Sequence, residues 1–146
     1  MRDDTVSTAL ARAGMAHRAR AADLLAEVGL HPGQEFLLAA LWRHGPTPVG
    51  ALARRLGVEQ PTVTKMVRRM EAQGLMARGA DAADRRRVVV RTTPQADGLR
   101  PALEGAWDRL EADTTAGLTA AETAMLHQLL GRVQASLTDD GSTPPS

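Results

Sequence analysis

Apolar residues recur along most of this chain at helical spacing, with a single interval of alternation. Residues 5–28 carry Val6, Leu10, Ala13, Ala21, Leu24, Leu25 and Val28 as an irregular stripe. The segment is rich in alanine, which favours helix but buries little area per residue, so it needs partners to stay folded. Gly29-Leu30-His31-Pro32 breaks it, and Pro32 suits the first turn of a helix over residues 32–44. That helix puts Phe36, Leu37, Ala40 and Leu41 on a core face, with Trp42 following and Gly45-Pro46 ending it. Thr47-Pro48 then reads as N-cap and first helical residue of a third, short helix.

In that third helix Leu52, Ala53 and Leu56 share one face, and Gly57 closes it. A fourth follows with Val63, Met66, Val67 and Met70 at i, i+3, i+4 and i+7, while Gln60, Thr62, Thr64, Lys65, Arg68 and Arg69 occupy its other face. Glu59 stands at its N-cap, a weak cap whose charge nevertheless suits a helix N-terminus. Ala53, Gly57 and Val63 allow two helices to cross closely around a short turn, which is a helix-turn-helix pattern. Gly74 is placed to cap the fourth helix in a left-handed conformation. Residues 75–78 and 87–92 then alternate as two short strands, joined by a polar loop over 79–86 that ends in arginines. A helix-turn-helix followed by a basic-tipped hairpin is a winged helix. The fold class is therefore mainly α with a small β-hairpin wing.

After the wing, Thr93-Pro94 repeats the helix-start signal, and a long helix to about residue 116 carries Leu99, Leu103, Ala106, Trp107 and Leu110. Thr119 and Glu122 have the spacing of a capping box. They open a last helix with Met125, Leu126, Leu129, Leu130, Val133 and Leu137. The polar, proline-bearing stretch 138–146 reads as a disordered tail. The expected organisation is an N-terminal helix (1–30), a winged helix-turn-helix (31–93), C-terminal helices (94–137) and the tail (138–146).

Net charge is only +1, but its distribution is uneven. Residues 49–91 hold ten Arg or Lys against four Asp or Glu, whereas residues 92–146 hold three against eight. A basic middle flanked by neutral and acidic helices suits a domain that meets phosphate with one face. Leu56-Gly57-Val58, Pro61-Thr62-Val63-Thr64-Lys65, Met70-Glu71-Ala72-Gln73-Gly74-Leu75 and Asp84-Arg85-Arg86, in this order and spacing, resemble the MarR family of bacterial regulators. The resemblance covers residues 31–93 strongly and the remainder through layout. It implies a transcriptional regulator of double-stranded DNA, in which the first and last two helices of two chains interleave as a homodimer. A twofold dimer also matches a palindromic operator.

The fourth helix is expected to enter the major groove, with Gln60, Thr62, Thr64 and Lys65 toward base edges and Pro61 also among the DNA-binding residues. Arg68 and Arg69, with Arg54 and Arg55 on the preceding helix, suit phosphates. In the family the wing aspartate orients an arginine, so the resemblance pairs Asp84 with Arg86 or Arg85 and leaves a neighbour for DNA. Alternation along the hairpin puts Arg85 and Arg87 on one side and Arg86 on the other.

The resemblance further implies release from DNA by a small, often aromatic and anionic effector. A pocket built from Trp42 with His17 or Arg20 would suit an aromatic carboxylate. Set against this, a Trp at helical spacing is usually core. The chain has no cysteine and its four histidines lack metal-ligand spacing, so neither a metal nor a cofactor is expected. There is no phosphate-binding glycine loop, no Gly-x-Ser-x-Gly and no His-Glu-x-x-His, which argues against an enzyme. No apolar run approaches the ~20 residues that span a bilayer and the start is unlike a signal peptide, so a cytoplasmic location away from membranes is expected. The competing reading is an architectural DNA binder or protein-interaction module without an effector.

Overall fold

In the computed structural model, residues 2–138 are described, and the chain divides into two units between Leu110 and Glu111. In the first unit α1 (Val6–Val28) starts at Thr5, whose hydroxyl accepts the Thr8 N–H, and ends at Gly29 with φ 82°. There the Gly29 and Leu30 N–H groups return to the Ala26 and Leu25 carbonyls. Leu24 and Leu25 are buried, but Val6 and Leu10 of the expected stripe are exposed.

The second helix, α2 (Gln34–His44), begins later than Pro32 suggested, because Gly33 precedes it at φ 98°, outside the helical region. Its buried stripe runs through Gln34, Leu37, Leu38 and Leu41. Phe36 falls off that stripe and is 55% exposed, correcting its expected place in the core. The N-cap of α3 (Val49–Leu56) is Pro48, not Thr47. The Thr47 backbone instead exchanges both hydrogen bonds with Val90, at 3.0 and 2.8 Å, and its hydroxyl donates to the Gly45 carbonyl. A long-range bridge, invisible to local pattern, has taken Thr47 away from the helix.

The fourth helix, α4 (Gln60–Ala72), buries Val63, Val67 and Met70 completely. Burial of each such side chain contributes about 1.5–3 kcal/mol, enough to hold the helix rigidly against α2 and α3. Its end is closed by Gly74 at φ 77°, where the Gly74 N–H reaches the Glu71 carbonyl and the Leu75 N–H the Met70 carbonyl. Gln34 Nε2 donates to Gln73 Oε1, tying α2 to this end.

The wing pairs β1 (Met76–Ala80) with β2 (Val88–Thr92), antiparallel, from Met76 opposite Thr92 to Ala80 opposite Val88. Residues 85–87 lie in the turn and not in the strand, so alternation does not apply to the arginines. The start of α5 (Pro94–Thr115) is held by Thr93, whose oxygen accepts the Ala96 N–H while its hydroxyl donates to the Gly74 carbonyl. Along it Ala96, Leu103, Ala106 and Leu110 are buried.

The second unit contains α6 (Ala120–Thr138). The expected capping box forms: Thr119 N donates to Glu122 Oε1 at 3.0 Å, and Glu122 N to the Thr119 hydroxyl at 3.2 Å. These bonds hold the Glu122 carboxyl below its ordinary range. None of its described residues is buried, and Met125, Leu126, Leu129 and Leu130 are 39–55% exposed. Thr138, expected to begin the tail, is the last residue of α6, and 139–146 lie outside the described residues.

Candidate nucleic-acid interface

The apolar side of α4 is consumed by the core, so the other side is left to solvent. Gln60, Pro61, Thr62, Lys65, Arg68 and Arg69 are all exposed there and Thr64 is half-buried. The helix divides them between two flanks. Gln60, Pro61, Thr64, Lys65 and Arg68 line one cleft, and Thr62, Lys65 and Arg69 line another with His31, Pro32, Gln34 and Met66. Lys65 stands on the ridge between them, while Arg68 and Arg69, expected to act alike, line different clefts.

Glu59 is the N-cap but makes no side-chain capping bond. The first turn of α4 therefore keeps backbone donors uncapped by that side chain, with Pro61 supplying a residue that has none. Gln60 lies across α3 at Gly50, where a Cβ would meet its Oε1 at 3.4 Å and Arg54 Nη1 at 3.7 Å. That glycine leaves space for the Gln60 and Arg54 side chains beside each other. Arg54 and Arg55 are exposed in the last turn of α3. Partial desolvation, then Arg55 and Arg43, push the His44 imidazole below its ordinary value.

In the wing, Asp84 accepts the Arg86 N–H at Oδ1 (3.1 Å), its carbonyl accepts the Arg87 N–H (3.0 Å), and Asp81 N donates to the Arg87 carbonyl. Asp84 thus shapes the turn through the Arg86 backbone instead of pairing with an arginine side chain. Arg85, Arg86 and Arg87 are exposed at its tip. Two arginines that local pattern did not single out brace the wing: Arg78 Nε donates to Glu71 Oε1 at 2.7 Å, and Arg91 Nη2 to the Ala80 carbonyl at 3.2 Å.

The effector residues are not assembled as expected. Trp42 is half-buried and lines a cleft of about 310 Å³ with Arg43, Arg100, Glu104 and Trp107, among others. His17 and Arg20 of α1 do not line it: His17 is exposed and Arg20 half-buried, and the expected convergence does not form. Trp42 donates its indole N–H to Asp97 Oδ1 at 2.8 Å, and Arg100 lies 5.5 Å over its ring. The Thr92 hydroxyl also donates to Asp97 Oδ1, and these bonds lower the Asp97 pKa. The end of the wing, α2 and α5 therefore meet at one carboxylate. Among the described residues no group of three His, Cys, Asp or Glu could hold a metal ion, and no helix is long and apolar enough to cross a membrane.

The MarR family model matches residues 30–88, which run from the end of α1 to the start of β2. The HTH-type transcriptional regulator MgrA of Staphylococcus aureus is 30% identical over 100 residues, covering 68% of this chain and 67% of that protein. A probable transcriptional regulator from Pseudomonas aeruginosa shares the fold at TM-score 0.80 and 30% identity, covering 90% of this chain and 98% of that one. BpsR of Bordetella bronchiseptica, whose DNA binding is regulated by 6-hydroxynicotinic acid, matches at TM-score 0.81 and 27% identity over 92% and 96% of the two chains. With its donor-lined α4 and arginine-tipped wing, the chain belongs to the MarR family, as a sequence-specific DNA-binding transcriptional regulator.

Proposed function

We propose that the protein is a cytoplasmic homodimeric repressor that reads a palindromic operator and leaves it when a small aromatic anion binds. The observation that carries the DNA reading is the exposed row on α4, held in place by complete burial of Val63, Val67 and Met70. Gln60, Pro61, Thr62, Thr64 and Lys65 read base edges, where each good bidentate pair discriminates by about 1–3 kcal/mol. Arg54, Arg55, Arg68 and Arg69 take phosphates, and the wing, turned by Asp84, delivers Arg85, Arg86 or Arg87 to the backbone or adjacent minor groove. As a member of a family of regulators it is not an enzyme.

The homodimer rests on the exposed apolar residues of α6, with residues 1–30 and 94–137 forming its base. The effector site is the Trp42 cleft, where an aromatic ring stacks on Trp42 or Trp107 and Arg100 or Arg43 receives the anion. The regulation of the related BpsR by 6-hydroxynicotinic acid supports that ligand class.

The test is selection of bound sites from random duplex DNA at roughly physiological salt, where non-specific phosphate binding is suppressed. Enrichment of an inverted repeat with half-sites about one helical turn apart is expected. Uniform recovery of unrelated sequences would favour an architectural binder.

A further inference from the structure

We propose that the cleft between the His31-Pro32 turn and α4 seats the DNA backbone, with His31 as a phosphate contact that strengthens binding as pH falls. The inference rests on the reading that α4 enters the major groove. A helix in that groove lies between two phosphate strands, and the two flanks of α4 are separately basic: Arg68 on one, Arg69 on the other, Lys65 between. The Arg69 flank has a wall that the other lacks. Across a space of about 330 Å³ stand His31 and Pro32, which belong to the approach to α2.

The position of His31 is set by its backbone, leaving its side chain for a ligand. Its N–H donates to Gln34 Oε1 at 3.0 Å and its carbonyl accepts the Gln34 N–H at 3.1 Å. Gln34, 2% exposed, is itself fixed to Gln73 at the end of α4. The turn is thereby locked to the helix it faces. The imidazole is exposed and makes no hydrogen bond or ion pair among the described residues.

The charges facing it are of one sign. Lys65 and Arg69 come from α4, and no carboxylate lines the cleft. Of the nearby acids, Glu35 on α2 is buried with Oε2 on the Gly33 N–H at 2.8 Å, and Glu27 on α1 is held by Arg109 at 2.6 Å. Two cations, a titratable imidazole and the Thr62 hydroxyl, with no anion among them, make a receptor for a phosphodiester. A phosphate beside the imidazole favours its protonated form, so the complex binds protons more readily than the separate molecules. Affinity must then rise as pH falls through the histidine range.

The experiment measures affinity for a mixed-sequence duplex at low, constant ionic strength from about pH 5.5 to 8.5, the window in which histidine changes charge. The unaltered chain, His31→Gln and His31→Lys are compared. The unaltered chain is expected to tighten by about three- to tenfold per protomer on acidification, since a nearby opposite charge favours the protonated imidazole. His31→Gln should lose that gain and keep the affinity seen at high pH. His31→Lys should bind tightly at both ends of the range, and thermal midpoints should match because the side chain is exposed. Any dependence contributed by His44 beside Arg55 persists in both variants, so the difference between variants isolates His31. Identical profiles for His31→Gln and the unaltered chain would overturn the proposal, as would an equal loss at every pH. If the unaltered chain bound no duplex at all, the DNA reading would fall and this inference with it. Loss of binding in Lys65→Ala beside an unchanged His31→Gln profile would remove this inference alone.

Discussion

α4 and α6 carry the same kind of sequence signal and meet opposite fates. Each has an apolar stripe at helical spacing and a defined start. In α4 the stripe is spent inside the chain, with Val63, Val67 and Met70 fully buried. In α6 Met125, Leu126, Leu129 and Leu130 remain exposed. An amphipathic helix gains little from its own hydrogen bonds and must bury its apolar face against something. For α4 that something is the winged-helix core, which holds its polar face in place. For α6 no described residue is buried, and a second copy is the occupant proposed above.

The sharpest way to break this contrast is to truncate one residue from each stripe. Met70→Ala should lower stability by about 2–5 kcal/mol, read by denaturant unfolding, with little dependence on protein concentration. Leu129→Ala should instead weaken dimerisation, so that its thermal midpoint falls most at low concentration. Equal, concentration-independent losses would mean that α6 is buried within its own chain. Next in size are Lys65→Ala and Arg86→Ala, expected to weaken operator binding several-fold or more while unfolding stays unchanged. Where the removed cation had neutralised a phosphate, the salt dependence of binding should also flatten by about one unit. A fall in stability matching the fall in binding would return both residues to structural roles.

The smallest effect belongs to the capping box. Glu122 is held below its ordinary pKa by the Thr119 N–H, so its contribution is present above the unfolded value and disappears as pH falls through the lowered one. Glu122→Gln should remove that acid-side pH dependence of the α6 helix signal in circular dichroism. A persisting dependence would place its origin elsewhere.

Local chemistry explains which expectations held. Gly29, Gly57 and Gly74 end helices because left-handed backbone is accessible to glycine, and the return bonds lie within a few residues. The Thr119–Glu122 box is equally local. The failures involve distant partners or competing turns. Thr47 was lost as a cap to its bridge with Val90, and Phe36 was excluded from the core by the rotation that buries Leu37, Leu38 and Leu41. Asp84 and Asp81 bent residues 81–87 into side-chain-capped turns, which ended the alternation assumed for the arginines. Trp42 found Arg100 and Asp97 on α5, not His17 or Arg20 on α1.

Spacing and turn chemistry alone determined that this chain makes a helix-turn-helix with a basic wing, because periodicity, capping and charge act over three or four residues. Tertiary structure decided which side chains share a cleft, since that depends on how helices rotate when they pack. Only packing could show which cleft Arg68 and Arg69 each line, and that His31, more than thirty positions before Lys65, stands across from it.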